Sequence, residues 1–167
     1  MDDIDPAHDP RVLMDRFSYM FSYPYARFSF YRGWMPLTVR VCEEIDAVLG
    51  GDRRNFQWAQ IKEEFGEARF YYNVRSSSAH DVEVGTQEKP LTINVDPNPV
   101  EPVVREIANI VAKAKEESRA TCQVCGNAAT TNNHGGYLVT LCPKHRPKGP
   151  EDTTWHDEVL SARMGLG

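Results

Sequence analysis

Two short motifs near the C-terminus constrain this chain more than any other feature. Cys122-Gln-Val-Cys125-Gly126 places two thiols on one tight turn, and Cys142-Pro-Lys-His145 follows after sixteen intervening residues. Three thiols and one imidazole at such spacing are a typical ligand set for tetrahedral zinc. The sequence therefore predicts one Zn²⁺ ion bound by these three cysteines and the histidine.

The segment between the two motifs can bring both ligand pairs to one ion. Residues 128–131 and 137–141 have the composition of short strands, and the Asn- and Gly-rich segment 132–136 is typical of a hairpin turn. Four protein ligands leave no open coordination position, so we expect a structural ion and not a catalytic one. Loss of the metal, or Cys125→Ser, is expected to loosen the C-terminal third without necessarily unfolding the rest.

Other interpretations of the same residues stay open. A redox Cys-x-x-Cys pair would need neither Cys142 nor His145. His134 could replace His145 as a ligand, but it lies at the predicted hairpin tip, where a surface turn residue is the simpler expectation. Cys42 follows an apolar helix position and is expected to be a buried structural thiol.

Composition and charge narrow the function classes. The 167 residues are 41% hydrophobic and carry a net charge of −5, which disfavours a protein that coats nucleic acid with its whole surface. The segment 113–148, however, holds six Lys/Arg against two Asp/Glu. No apolar stretch is long enough to cross a membrane and the acidic N-terminus lacks a leader pattern, so a cytoplasmic protein is expected.

The chain divides by composition into four parts. Residues 1–11 are expected to form an acidic flexible arm, 12–119 an α+β body, 120–148 the zinc-binding module and 149–167 a C-terminal tail. The predicted fold class is α+β, with two main helices on a small antiparallel sheet. The module is expected to be a zinc-ribbon-like hairpin, or a short treble-clef-like one, at the end of the second helix.

Hydrophobic periodicity places the elements of the body. Apolar residues at helical spacing follow Pro36 and end before Gly50, and a second helix is expected from an N-cap at Asn98 to about Ser118. Residues 17–34 are crowded with aromatics, which favours a short helix and then an irregular or extended stretch. An aromatic strand is predicted at 67–75, a loop or hairpin tip at 76–89, a returning strand at 91–95 and a further helical turn at 157–163.

Several of these runs resemble one family of small bacterial and phage or prophage proteins. The shared runs are Gly33-Trp34, Gln60-Ile-Lys-Glu-Glu-Phe-Gly66, Arg69-Phe-Tyr-Tyr72, Cys122-x-x-Cys-Gly and Leu141-Cys-x-x-His145. The likeness covers roughly residues 33 to 146 and implies the same zinc module, but the family has no settled activity. Ala68 departs from the family pattern, which has Leu there, and the segment 75–95 is longer.

Three groups of side chains are candidates for contacts with other molecules. The basic cluster could touch phosphates and comprises Lys113, Lys115, Arg119, Lys144, Arg146 and Lys148. Aromatics that could bind a partner or stack on bases are Phe21, Tyr23, Tyr25 and Trp34. The charges between Lys62 and Arg69 could serve an enzyme, although a turn that packs Ile61 and Phe65 under the sheet is the simpler interpretation.

These features predict a non-enzymatic, zinc-stabilised binding protein of phage or prophage type. It would engage a host or phage protein complex and possible roles include inhibition of a host defence or nucleic-acid machine. One alternative is a nucleic-acid-binding regulator that acts through the basic zinc module. The other is an enzyme that uses the region 62–69, although no Ser/His/Asp arrangement or phosphate-binding glycine loop is present.

Overall fold

The computed structural model describes residues 8–22, 27–75, 81–84 and 101–166, and these contain four α-helices and seven strands. The helices are α1 (Pro10–Arg16), α2 (Met35–Leu49), α3 (Pro102–Ser118) and α4 (Thr154–Ala162). The strands are β1 (Arg27–Tyr31), β2 (Gln57–Glu64), β3 (Glu67–Arg75), β4 (Asp81–Val84), β5 (Thr130–His134), β6 (Tyr137–Leu141) and β7 (Arg163–Leu166). The α+β class is confirmed. Two main helices are not confirmed, because α1 and α4 accompany the longer α2 and α3.

The main sheet is mixed, which corrects the expectation of an antiparallel one. Its five strands run in the order β4-β3-β2-β1-β7, while β5 and β6 form a separate hairpin. The pair β1–β2 is parallel, and the other pairs are antiparallel. The parallel pair arises because α2 connects β1 to β2 as a crossover, and strands joined by a crossover helix run in the same direction.

The helix α2 forms where the apolar spacing predicted it. Leu37, Val41, Ile45 and Leu49 are all buried and face the core. Cys42 is also buried, so the prediction of a buried structural thiol is confirmed. Burial raises the pKa of the Cys42 thiol to about 12, which keeps it protonated and unreactive near neutral pH.

The helix α3 ends at Ser118 as predicted but begins later than predicted. Its first residue is Pro102 with Glu101 at the N-cap, whereas the sequence suggested a cap at Asn98, which lies outside the described residues. Proline is favoured at a first helical position, and both Pro99 and Pro102 satisfy that rule. The local pattern therefore could not select between the two starts.

Ser118 ties the end of α3 to the sheet. Its buried hydroxyl donates to the carbonyl of Lys115 and accepts a hydrogen bond of 2.8 Å from the backbone N–H of Ala68 in β3. We expect Ser118→Ala to destabilise the protein by about 1–3 kcal/mol, because it leaves that buried N–H without a partner. Urea unfolding checks this value, with Ser161→Ala on the exposed face of α4 as the control. A change as small as that of the control would contradict the proposed role.

The β2–β3 hairpin turns at Phe65 and Gly66, as the glycine suggested. Ile61 is buried, but Phe65 is 66% exposed, so the expectation that both pack under the sheet is wrong for Phe65. Both turn residues have positive φ, at 55° and 79°. This backbone conformation at the tip of the hairpin directs the phenyl ring outward.

For the remaining segments, some predictions can be compared with the structure and others cannot. β4 lies inside the stretch predicted to be a loop or hairpin tip, and the predicted strand at 91–95 lies outside the described residues. α4 covers most of the predicted turn at 157–163 and starts earlier, at Thr154. β7 pairs with β1, so the segment assigned to a tail contributes the outer strand of the main sheet.

A single hydrophobic cluster joins the sheet, the helices and the hairpin. It contains Trp34 and Phe70 of the body together with Val124, Leu141 and Cys142 from the segment that carries the ligands. None of the described helices is long and apolar enough to cross a bilayer. The segment that carries the four predicted ligands is thus packed into the same core as the main sheet.

Candidate metal centre

The four predicted ligands lie together at the base of the β5–β6 hairpin. Cys122 and Cys125 occupy the turn before β5, and Cys142 and His145 occupy the turn after β6. Their ligand atoms all lie within 4.8 Å of one another. The structure therefore forms a site able to bind a metal ion from the residues that the sequence selected.

The distances between ligand atoms describe a small, closed cluster. The Nδ1 atom of His145 lies 3.5 Å from the sulfur of Cys122 and 3.2 Å from that of Cys142. The sulfurs of Cys125 and Cys142 are 3.7 Å apart. Cys122, Cys142 and His145 are buried and Cys125 is exposed, so three of the four ligand side chains are withdrawn from solvent.

Backbone hydrogen bonds shape both ligand turns. The N–H of Gly126 donates to the carbonyl of Cys122, and Gly126 has a φ of 79°, which a residue with a side chain rarely adopts. In the second turn the N–H groups of His145 and Arg146 both donate to the carbonyl of Cys142. These bonds direct the sulfur and imidazole atoms toward a common centre.

Two of the clustered thiols differ in acidity. Partial desolvation and the neighbouring Cys122 and Cys142 thiols raise the pKa of Cys125 to about 11, although its side chain is exposed. Desolvation also acts to raise the pKa of Cys142, but the nearby backbone N–H groups of His145 and Lys144 and the neighbouring thiols outweigh it, and the pKa is lowered.

Gly33 and Trp34 of the body dock directly on the first ligand turn. The N–H of Gly33 donates to the carbonyl of Gln123 at 2.9 Å, and the indole N–H of Trp34 donates to the carbonyl of Thr121 at 2.7 Å. A methyl group on Gly33 would lie 2.1 Å from the Cys122 carbonyl oxygen. The sequence did not predict this docking, because nothing local links Gly33 and Trp34 to a segment ninety positions away; it offered both as part of a family likeness and Trp34 as a candidate for binding a partner.

The second contact between body and hairpin involves Thr140. Its backbone N–H donates to the side-chain oxygen of buried Gln123, and its hydroxyl donates to the carbonyl of Gly66. Gly66 has no side chain where Thr131 and Leu138 pack against it. The hairpin is therefore fixed to both the ligand turn and the β2–β3 turn.

The predicted partner-binding aromatics fall into different environments. Trp34 is fully buried, so it is not available at the surface, and its role is to hold the ligand turn. Phe21 is partly buried at the end of a short helical turn. Tyr23 and Tyr25 lie outside the described residues.

The predicted basic cluster divides into paired and unpaired members. Lys113 lies 3.9 Å from Glu117, while Lys115 and Arg119 both approach the buried carboxylate of Glu67. The other three, Lys144, Arg146 and Lys148, are exposed and form no ion pair within the described ranges. Only this second group is free to meet a phosphate.

Most charged side chains of the region 62–69 pair with one another. Arg69 is buried and pairs with Glu67 at 2.6 Å, and Glu63 accepts a hydrogen bond from the N–H of Gly66. Burial raises the pKa of Glu63. The cavity that Arg69 lines, beside α3, includes neither Glu63 nor Glu64, so these groups do not converge on one substrate-sized space there.

His134 is not one of the four clustered ligands. It lies at the end of β5, and its ring is 5.6 Å from that of Trp155 in α4. The expectation that His145 and not His134 joins the three cysteines agrees with this placement.

Comparison with known proteins gave no match to a family model, to a curated protein or to a solved structure. The likeness to small phage and bacterial proteins therefore stays a prediction from sequence. The function of the chain is inferred from its own residues and their geometry.

Proposed function

We propose that this chain is a non-enzymatic binding protein of phage or prophage type, stabilised by one structural Zn²⁺. In this proposal it acts in the cytoplasm of a bacterial host cell and engages a protein complex, as an inhibitor of a host defence or nucleic-acid-processing machine. The observation that carries the proposal is a group of exposed apolar side chains on the hairpin that carries the ligand cluster and on the β2–β3 turn that packs against it.

The distances and the ligand types together fit zinc. Bonds of about 2.3 Å to sulfur and about 2.0–2.1 Å to nitrogen, arranged as a tetrahedron, separate two sulfurs by about 3.8 Å and a sulfur from a nitrogen by about 3.5 Å. The separations of 3.7 Å between Cys125 and Cys142 and 3.5 Å between Cys122 and His145 are close to these values, and that of 3.2 Å between Cys142 and His145 is shorter. Three thiolates and an imidazole also favour zinc over hard, oxygen-preferring cations.

A structural role for the ion follows from the ligand count. Catalytic zinc sites usually have three protein ligands and keep a position for water or substrate, whereas four protein ligands fill the tetrahedron. The packing of Gly33 and Trp34 on the ligand turn supports the same role, because it places the ligands against the core and not in a cleft.

The surface of the hairpin and of the turn that packs against it supports a binding role. Three large apolar side chains are exposed there: Phe65 (66%), Tyr137 (64%) and Leu138 (41%). Phe65 adopts a left-handed conformation that costs a residue with a side chain about 1–2 kcal/mol. Because the exposed ring recovers little of this cost by burial, a contact with another molecule is the explanation we favour.

A pull-down from bacterial lysate tests the proposal, with nuclease added to remove captures that depend on nucleic acid. We expect the zinc-loaded protein to retain a specific set of proteins, and we expect Phe65→Asn to retain at least about tenfold less of each. Asn tolerates the left-handed conformation, so this variant should unfold at the same temperature or a higher one.

Val12→Asn is the matched control, since Val12 is exposed on α1, in a different element of the fold. It should leave capture unchanged. Retention of no specific protein, or equal retention by Phe65→Asn, would count against a protein-binding function.

A second candidate function is nucleic-acid binding through the basic zinc module. It is favoured by three exposed cations that form no ion pair with any residue the structure describes, Lys144, Arg146 and Lys148, which lie on one loop around and after the predicted ligand His145. The net charge of −5 requires that such binding be local, because the rest of the surface repels phosphate.

A further inference from the structure

A cavity of about 430 Å³ lies between the tip of the hairpin and the start of α4. Its walls are the hairpin residues 133–135, the loop around Pro147 and Gly149, and the rings of Trp155 and His156. Small-molecule sites in proteins measure about 300–1,000 Å³, so the space is large enough for a ring-sized ligand. None of the four metal ligands lines this cavity.

The rings in the wall are arranged as a stack. Trp155 and His156 lie nearly parallel with their centroids 3.7 Å apart, and His134 packs on Trp155 from the hairpin side. Tyr137, which is 64% exposed, meets His156 edge to face at 5.8 Å. Flat rings of this kind give a nucleobase a surface for stacking.

Positive charge outweighs negative charge at the rim of the cavity. Lys148 lies between the lining residues Pro147 and Gly149, and Arg146 precedes them; both side chains are exposed and form no ion pair among the described residues. Asp152 lines the same part of the cavity, where the Thr154 hydroxyl and the backbone N–H groups of Lys148 and Thr154 donate to its carboxylate and lower its pKa to about 2. Phosphates are therefore expected beside Arg146 and Lys148, whose two positive charges exceed the single negative charge of Asp152.

We propose that this cavity binds one base of single-stranded nucleic acid, stacked on His156, while Arg146 and Lys148 contact the phosphates that flank it. The inference rests on the nucleic-acid candidate and uses neither Phe65 nor Leu138 of the protein-binding surface, although Tyr137 borders both sites. The base enters unpaired, because a paired base offers no free face to the ring stack.

Fluorescence anisotropy of the zinc-loaded full chain with a short labelled oligothymidine tests this site. We expect binding at low salt that weakens steeply as salt is added. His156→Ala should weaken binding about tenfold through lost stacking. Lys148→Ala should also weaken binding, and it should reduce the slope of the logarithm of the binding constant against the logarithm of the salt concentration by about one.

Two further variants keep the test decisive. Gly149→Leu adds a side chain where the structure has open space, so it should block the cavity without disturbing the fold. Lys113→Ala removes the same charge from α3, which does not line the cavity, and should leave binding unchanged. Circular dichroism checks that each variant is folded.

The outcomes separate this inference from its rivals. Four results would each overturn it. The first is no binding at low salt, and the second is a loss of affinity in Lys113→Ala equal to that in Lys148→Ala. The third is unchanged affinity in Gly149→Leu, and the fourth is tighter binding of a duplex or of thymidine monophosphate than of the oligothymidine. Failure here together with nuclease-resistant, Phe65-dependent capture of proteins would remove the nucleic-acid site and leave the protein-binding proposal intact.

Discussion

Gly33→Ala is expected to abolish metal binding and to destabilise the whole protein by about 3 kcal/mol or more, beyond the usual cost of overpacking. The added methyl carbon would lie 2.1 Å from the carbonyl oxygen of Cys122 and 2.7 Å from both the Gln123 carbonyl oxygen and the Gly126 nitrogen. These are backbone atoms of the ligand turn, which cannot rotate away as a side chain can. Relief requires the turn to separate from the body.

Separation would also break hydrogen bonds that hold the site. The bond from the Gly33 N–H to Gln123 and the bond from the Trp34 indole to Thr121 both depend on the present approach. Two buried donors would lose their partners, at about 1–3 kcal/mol each. The effect is therefore expected on the ligand geometry and on the core together.

Metal content per chain, measured by elemental analysis, and thermal unfolding check this prediction. Gly51→Ala is the matched control, because a methyl group there meets nothing within 4 Å. It should retain one ion per chain and a nearly unchanged melting temperature. A Gly33→Ala protein with a full complement of metal would show that the ligand turn does not depend on this contact.

Removal of the metal is the second change for which a large effect is expected. Structural zinc contributes apparent binding free energies of about 10–16 kcal/mol in small domains. If half of this supports the folded chain, the melting temperature falls by about 10–30 °C, since each kcal/mol is worth about 2–4 °C at this size. Chelation and Cys125→Ser should both produce this fall in melting temperature.

The loss is expected to reach beyond the C-terminal third. Cys122, Val124 and Leu141 belong to the same hydrophobic cluster as Trp34, and β7 at the end of the chain pairs with β1. We therefore expect one cooperative transition at lower temperature, and not a molten hairpin attached to an intact body.

Calorimetry and amide hydrogen exchange distinguish these outcomes. Loss of protection in β1 and α2 after chelation would accompany the cooperative transition. Cys42→Ala serves as a control for the loss of a thiol, because its buried sulfur is not a ligand. Elemental analysis of the wild type with much less than one zinc per chain would contradict the metal assignment itself.

Local spacing was sufficient for the elements that depend on neighbouring residues. The four ligands are recognised because each pair lies on one short turn, and α2 is recognised because Leu37, Val41 and Ile45 recur at the helical period. The start of α3 was misplaced where two prolines satisfied one rule. Where a local rule allowed only one assignment, the predicted position agrees with the structure.

Contacts between distant segments were decided only by the tertiary structure. The parallel pairing of β1 with β2, the docking of Gly33 on Gln123 and the pairing of Lys115 with Glu67 join residues far apart in the chain. Residue type does not specify such partners, because the same aromatic or charged side chain is compatible with a core, an ion pair or a free surface.

Phe65 and Trp34 illustrate this division. Both are aromatic residues beside a glycine, and the sequence placed Phe65 in the core and Trp34 among the candidates for binding a partner. The structure reverses these assignments, with Trp34 buried against the ligand turn and Phe65 exposed at the tip of a hairpin. The sequence by itself determined the ligands and the main periodic elements, whereas burial depended on which segments the fold brings together, since exposure is a property of neighbours in space.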